Sequence, residues 1–264
     1  MVIMKTYIVG NWKMNLTVGA ASIYLHKLLK EMPSYRDVVV AIAPPLIALQ
    51  PLSLQIDRRK IHLAAQNAYH RDFGAYTGET AFAQLRGLVD YVIIGHSERR
   101  HIFGETNKDL RQKVAAALRN GITPILCVGE TADERNYGET KAVIRDQLLG
   151  GLSEVGQEDL HKVIIAYEPV WAISTSGTNG SGTARSATLE EVSGAVKVLR
   201  EELATSFGKE VEQDMPVLYG GSVDSANAGG YLTVPGINGV LAGGASLKLH
   251  EFLAIIDIAK RVRS

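Results

Sequence analysis

Cysteine is almost missing from this chain of 264 residues. Cys127 stands alone, which excludes an internal disulfide and makes a reducing compartment, the cytoplasm, the expected setting. An excess of charge is lacking too: 28 Lys and Arg meet 28 Asp and Glu, for a formal net charge of +0. With no basic stripe, the electrostatic footprint of a nucleic-acid or anionic-membrane binder is missing, and any bound anion must be held locally. Long apolar runs are also wanting. The stretch from Val38 to Pro45 falls far short of the roughly 20 residues needed to cross a bilayer, and Asp257 interrupts the apolar run near the C-terminus. The opening MVIMKTYIVGNWKMN has neither the apolar core nor the small-residue cleavage site of a secretory signal. What is there is an ordinary mixture, 46% hydrophobic and 21% charged, with ample material for a buried core.

Eight short β-branched runs occur, near 7–10, 38–43, 61–66, 91–95, 122–128, 163–167, 217–220 and 239–242, most of them apolar at successive positions rather than alternating. Burial on both faces favours parallel strands. Between them lie segments with helical spacing, clearest at Ala21–Glu31, Glu105–Asn120, Glu134–Leu149 and Leu189–Leu203, and weaker at 45–56, 80–88, 224–232 and 247–262. Asn120-Gly121 reads as a helix stop, and Thr188 followed by Glu191 has capping-box spacing. A doubly wound open sheet also alternates strand and helix. Eight units with no Pro/Gly/Ser linker between two halves instead predict an α/β fold, one closed (β/α)8 barrel domain over residues 1–264. The segment STSGTNGSGTARS, Ser174 to Ser186, predicts an extended βα loop after the sixth strand. Its composition suits a flexible insertion as well as a functional loop.

Five clusters at predicted strand ends could carry chemistry. Gly10-Asn11-Trp12-Lys13-Met14-Asn15 puts a lysine at the barrel mouth, although a lysine after a strand is most often a solvated loop residue. Ile94-Gly95-His96-Ser97-Glu98-Arg99-Arg100 crowds an imidazole, a carboxylate and two guanidiniums into one turn. There Glu98 and the arginines read as an ion-pair network tying the strand end to its neighbours, whereas nothing structural asks for His96. Tyr167-Glu168-Pro169-Val170-Trp171 runs a buried strand into a carboxylate, which could be a general base or a salt-bridge partner. Paired glycines follow strands seven and eight, in Tyr219-Gly220-Gly221-Ser222 and Ala242-Gly243-Gly244-Ala245. Each pair lets backbone N–H groups approach an anion, and these two loops are the usual phosphate site of such barrels.

Other motifs fail. Gly177 and Gly182 enclose four residues, but Thr183-Ala184 replaces the Lys-Ser/Thr of a phosphate-binding P-loop. Gly177, Gly180 and Gly182 have the wrong order for a dinucleotide fingerprint. His96 and His101 lack zinc-ligand spacing, so no metal is expected.

Taken together and in this order, GNWKMN, IIGHSERR, AYEPVWAI, YGGSV and LAGGASL resemble the triosephosphate isomerase family, and the likeness runs through almost the whole chain. The resemblance implies a TIM barrel that interconverts dihydroxyacetone phosphate and D-glyceraldehyde 3-phosphate through an enediol or enediolate, without metal or organic cofactor. It implies that Glu168 moves the carbon-bound proton and that His96, as a neutral ring, donates to the substrate oxygens, roles long used to illustrate this kind of catalysis. Lys13 would add positive charge and Asn11 a hydrogen bond. Ser174, Ser222, Gly243 and Gly244 would hold the phosphate, with Ser97, Glu98, Cys127, Glu130 and Tyr219 in support around them. Pro169, Val170 and Trp171 would form the first hinge of a lid. Thr77 would reach the Asn11 and Lys13 region of a partner in a homodimer. The competing reading is a non-catalytic barrel that binds sugar phosphate or serves as a scaffold, its lid altered because its chemistry is lost.

The lid is where the chain departs from the family. A family lid reads close to PVWAIGTGKTATPE, with nine positions from Trp to the Thr of ATPE, whereas Trp171 and Thr188 are 17 apart here. Ser174 stands at the expected phosphate-binding glycine, and the hinge Lys-Thr-Ala has no clean counterpart. Ordering the extra chain on closure would cost roughly 1–2 kcal/mol per residue fixed, slowing closure or letting the intermediate escape. A variant lacking residues 176–183 is therefore expected to release less inorganic phosphate per turnover; equal elimination rates would count against leakage through the insertion.

Overall fold

A computed structural model describes residues 5–173 and 185–263. The strands are β1 (Thr6–Asn11), β2 (Val38–Ala43), β3 (His62–Ala65), β4 (Tyr91–Ile94), β5 (Thr123–Val128), β6 (Ile164–Tyr167), β7 (Val217–Tyr219) and β8 (Gly239–Ala242). Each pairs in parallel with the next, and β8 returns to β1 with Tyr7 opposite Gly239 and Gly10 opposite Ala242. The result is the predicted closed (β/α)8 barrel, with strand ends within two residues of the predicted runs.

The uninterrupted apolar character of the strands has a direct cause. Val9, Ala41, Ala64, Ile93, Ile125, Ile164, Leu218 and Leu241 fill the barrel interior, while their neighbours Ile8, Val40, Ile42, Val92, Leu126, Ile165 and Val240 pack outward beneath the helices. Every face is buried, so no polar alternation survives. At the N-terminal end, Tyr7 and Tyr91 meet edge to face at 6.5 Å and pack against the inner layer.

The helices are α1 (Val18–Glu31), α2 (Leu46–Ser53), α3 (Phe82–Leu85), α4 (Ser97–His101), α5 (Asn107–Arg119), α6 (Ala132–Asn136), α7 (Thr140–Leu152), α8 (Leu189–Phe207), α9 (Lys209–Asp214), α10 (Ala228–Thr233) and α11 (Leu249–Arg263). The predicted stop holds: α5 is capped by Asn120, and Gly121 takes φ 70°. The predicted start of α8 holds as well, Thr188 and Glu191 exchanging bonds of 2.8 and 3.2 Å.

Three expectations are corrected. The continuous helix expected at Glu134–Leu149 is two, because Thr131 and Glu134 form their own capping box and Gly138 breaks the chain at φ 73°. The helix expected at 80–88 closes after one turn as Arg86 leaves helical geometry and Gly87 takes φ 79°. That expected at 224–232 starts only at Ala228, since the Asp224 side chain accepts the N–H groups of Ala226 and Asn227 in a turn of its own. Among the described residues no helix is long and apolar enough to cross a membrane.

Candidate active site

The C-terminal ends of the strands open into a cleft of about 550 Å³ lined by Asn11, Lys13, His96, Glu168, Ser222 and Gly243, among others. The barrel thus unites residues far apart in sequence and does so where βα loops leave the strands.

The first wall begins under β1. Trp12, fully buried, meets the Tyr24 ring edge to face at 4.9 Å, and the Tyr24 hydroxyl donates to the Ser246 carbonyl at 2.7 Å. This aromatic pillar ties the loop after β1 to the loop after β8. Above it Lys13 adopts φ 51°, the left-handed region that a side chain with Cβ disfavours. Three bonds maintain that conformation: Asn11 Oδ1 accepts from the Lys13 N–H at 3.0 Å, and Gln66 Nε2 donates to the Lys13 and Ala43 carbonyls, each at 2.8 Å. The Lys13 ammonium lies 2.6 Å from Glu98 Oε1, and its stem crosses beside Gly243.

His96 caps α4. Its Nδ1 accepts the N–H of Glu98 at 3.2 Å, which requires a lone pair there and assigns the ring proton to Nε2. Nε2 faces the cleft and stands 3.3 Å from Glu168 Oε1. The other oxygen of Glu168 accepts the Ser97 N–H at 2.9 Å. Glu168 is 1% exposed and His96 7%, so the pair is nearly dry. Below them Cys127 is buried, and burial together with the Glu168 carboxylate pushes its thiol well above the ordinary range, which keeps it an uncharged S–H.

The main chain of Glu168 is held from three sides. Its N–H donates to Val128 at 2.7 Å, and a Cβ on Gly129 would lie 1.9 Å from its carbonyl oxygen, so only glycine fits there. Glu130, fully buried, takes the Tyr167 hydroxyl on both oxygens at 3.1 Å and the Trp171 indole N–H at 3.1 Å, while its carbonyl accepts from Val170 at 3.0 Å. Pro169 leads into one 3-10 turn, Val170–Ala172.

Gly243 and Gly244 line the cleft opposite and open a 3-10 turn, Gly244–Leu247. Ser222 also lines it, but its N–H and hydroxyl both donate to the Ala172 carbonyl, at 3.0 and 2.8 Å. Tyr219 stacks on Tyr231 at 4.2 Å beneath this loop, and burial pushes its phenol upward in pKa. Ser174 lies outside the described residues, and so does most of the extended loop. Thr77 is exposed on the loop after β3.

The cluster around α4 divides its work differently from the expected network. Glu98 reaches across to Lys13, Arg99 pairs with Glu105 at 2.6 Å, and Arg100 donates to the Gly95 and Cys127 carbonyls at 2.9 Å, joining the ends of β4 and β5. Arg100 and the Gln66 clamp escape a reading by residue type, because what they satisfy is main-chain carbonyl groups; only the position of Gln66 at the end of the third apolar run hinted at it.

A carboxylate facing an imidazole N–H, an ammonium beside them and glycine-lined loops across the cleft define a barrel isomerase built for proton transfer on a small anionic molecule. The profile of triosephosphate isomerase matches residues 6–259. Triosephosphate isomerase of Carboxydothermus hydrogenoformans is 42% identical over 253 residues, covering 96% of this chain and 98% of the relative. That of Chloroherpeton thalassium is 42% identical over 261 residues, covering 97% and 99%, and that of Streptococcus suis 38% over 254 residues, covering 96% and 98%. The chain belongs to the triosephosphate isomerase family.

Replacing Gln66 with Ala takes one donor from the Lys13 carbonyl and one from the Ala43 carbonyl, which keeps the Trp12 N–H at 3.1 Å, and loosens the left-handed turn at Lys13. The expected loss of unfolding free energy is about 1–3 kcal/mol, read from urea denaturation, and an unchanged midpoint would show that the clamp is dispensable.

Proposed function

We propose that this chain interconverts dihydroxyacetone phosphate and D-glyceraldehyde 3-phosphate by carrying a proton between adjacent carbons, as in glycolysis and gluconeogenesis, and that it does so in the cytoplasm. The observation that carries the reading is the 3.3 Å approach of Glu168 Oε1 to His96 Nε2, with the ring tautomer set by the Glu98 N–H. A substrate entering between them parts the pair. Glu168 then takes the proton from the carbon bearing the hydroxyl, and the C–H electron pair passes into an enediolate. The Nε2–H of His96 donates to the oxygens on which negative charge grows, while Lys13 offsets that charge and Asn11 supplies a further donor. His96 Nε2–H gives its proton to the former carbonyl oxygen and takes the hydroxyl proton from the neighbouring oxygen, and Glu168 returns the carbon-bound proton to the neighbouring carbon. Protons and electrons balance within the substrate, so the step calls for no cofactor.

Phosphate binding at Gly243, Gly244, Ser222 and Ser174 holds the reacting end in place. For Ser222 this means moving its donors from Ala172 to the anion, which couples substrate binding to the turn after Glu168.

A homodimer is the proposed assembly. Met14 is 96% exposed and Phe73 90%, Ile102 and Phe103 are exposed after α4, and Ile47 is exposed in the first turn of α2. Apolar groups in that number at one end of a molecule signal a protein interface. The groove beside Lys13, between Gln66, Glu79, Thr80 and Phe103, has a volume of about 410 Å³ and suits a partner's loop.

Steady-state conversion of D-glyceraldehyde 3-phosphate should be rapid and release little free phosphate, and Glu168→Gln should lower kcat by roughly 10²–10⁴. No turnover with retained binding of a small phosphorylated ligand would favour the non-catalytic barrel instead. Thr77→Arg should yield a monomer of much lower activity by light scattering; a dimer of unchanged mass would refute that contact.

A further inference from the structure

On the outer side of the segment that bears Glu168, two guanidiniums lie against one indole. The Cζ atom of Arg135 is 4.4 Å from the Trp171 ring centroid and that of Arg185 is 5.0 Å from it. Two like charges this close need a counterion, and Glu191 provides it. Its Oε1 and Oε2 take Arg185 at 2.6 and 2.8 Å, and Oε1 also lies 3.3 Å from Arg135. Glu191 is itself fixed, because it completes the capping box of α8 by accepting the Thr188 N–H. The Arg185 guanidinium beside it holds its carboxyl down at about 2. One end of the cluster is therefore anchored to a 19-residue helix.

The other end reaches the base. The Trp171 indole donates to Glu130 Oε1, which also accepts from Tyr167, so one buried carboxylate grips the residues on either side of Glu168. A ring that is free to swing weakens that grip; a ring covered by two cations is not free. An isolated ion pair as exposed as that of Arg185 contributes little, but a cation that both stacks on an aromatic face and pairs with an anchored carboxylate has its direction determined.

We propose that Arg185 is a positioning residue: together with Glu191 it seats the indole of Trp171, and through that ring and Glu130 it holds the segment that places Glu168. The inference rests on Glu168 being the base.

The full-length chain tests it with Arg185→Met, which keeps the stem and loses the charge, Arg185→Lys, which keeps a cation, and Glu191→Gln. Steady-state kinetics and acrylamide quenching of tryptophan emission are the readouts. Trp12 is 0% exposed, so quenching reports Trp171. Arg185→Met should lower kcat about tenfold with KM changed less than about twofold, as expected for a displaced catalytic group rather than lost substrate contacts. Its quenching constant should roughly double as the ring loses a cover. Lysine should restore both, and Glu191→Gln should follow the methionine variant. If the methionine variant fails to fold, Glu191→Gln and Arg185→Lys decide alone. A kcat within twofold of wild type, or a lower kcat with unchanged quenching, overturns the proposal. If the wild-type chain fails to isomerise triose phosphate, the functional reading falls; a raised quenching constant then still supports the seating of Trp171, and an unchanged one overturns it.

Discussion

Closure of the strand ring is the constraint on which everything else depends. β8 must come back against β1, and it does so at Gly239, where a Cβ would stand 1.9 Å from the Tyr7 carbonyl oxygen. Once the ring is closed, the separations among the ends of β1, β4, β6 and β8 are set by backbone hydrogen bonds rather than by side-chain choice. Glu168 and Gly243 follow the ends of β6 and β8 directly, and Lys13 and His96 stand two residues beyond the ends of β1 and β4. Their juxtaposition is a property of the ring, and a loop can vary without disturbing it.

The second layer of order is the satisfaction of charge in a dry place. Lys13 with Glu98, Glu130 with Tyr167, Trp171 and Arg135, and Arg100 with two strand-end carbonyls all join neighbouring or opposing strands through groups that burial makes costly to leave alone. These pairs surround His96 and Glu168 and give rigidity at the groups for which a catalytic role is proposed, where a displacement of an ångström would matter. Glu168 itself accepts from the Ser97 N–H and lies close to His96.

Much of this was legible in the sequence because the signals were local. Apolar runs marked strands buried on both faces, Asn120-Gly121 and Thr188 with Glu191 marked helix ends, and the chemistry-bearing types stood at run ends. What could not be read was either a competition between local options or a contact set by the ring. Gly138 divides a helix whose periodicity runs straight through it, and the Asp224 side chain diverts the chain from a helix the pattern allowed. Glu98 looked like a partner for the adjacent arginines; its pairing with Lys13, 85 positions away, exists only once β1 and β4 are both in place. The engagement of Ser222 with Ala172 is likewise invisible without the fold.

The left-handed backbone at Lys13 carries a consequence for the evolution and engineering of this molecule. A side chain with Cβ held there costs about 1–2 kcal/mol relative to a residue indifferent to that region. Glycine would relax the turn and remove the ammonium, whereas lysine keeps the ammonium and the strain. Selection for thermal robustness alone would therefore drive this position toward the residue that removes the ammonium, so that, under the role proposed for Lys13, stability and activity pull in opposite directions here. Stabilising such a barrel is best directed at its helices and outer loops, where the gain does not compete with the cleft.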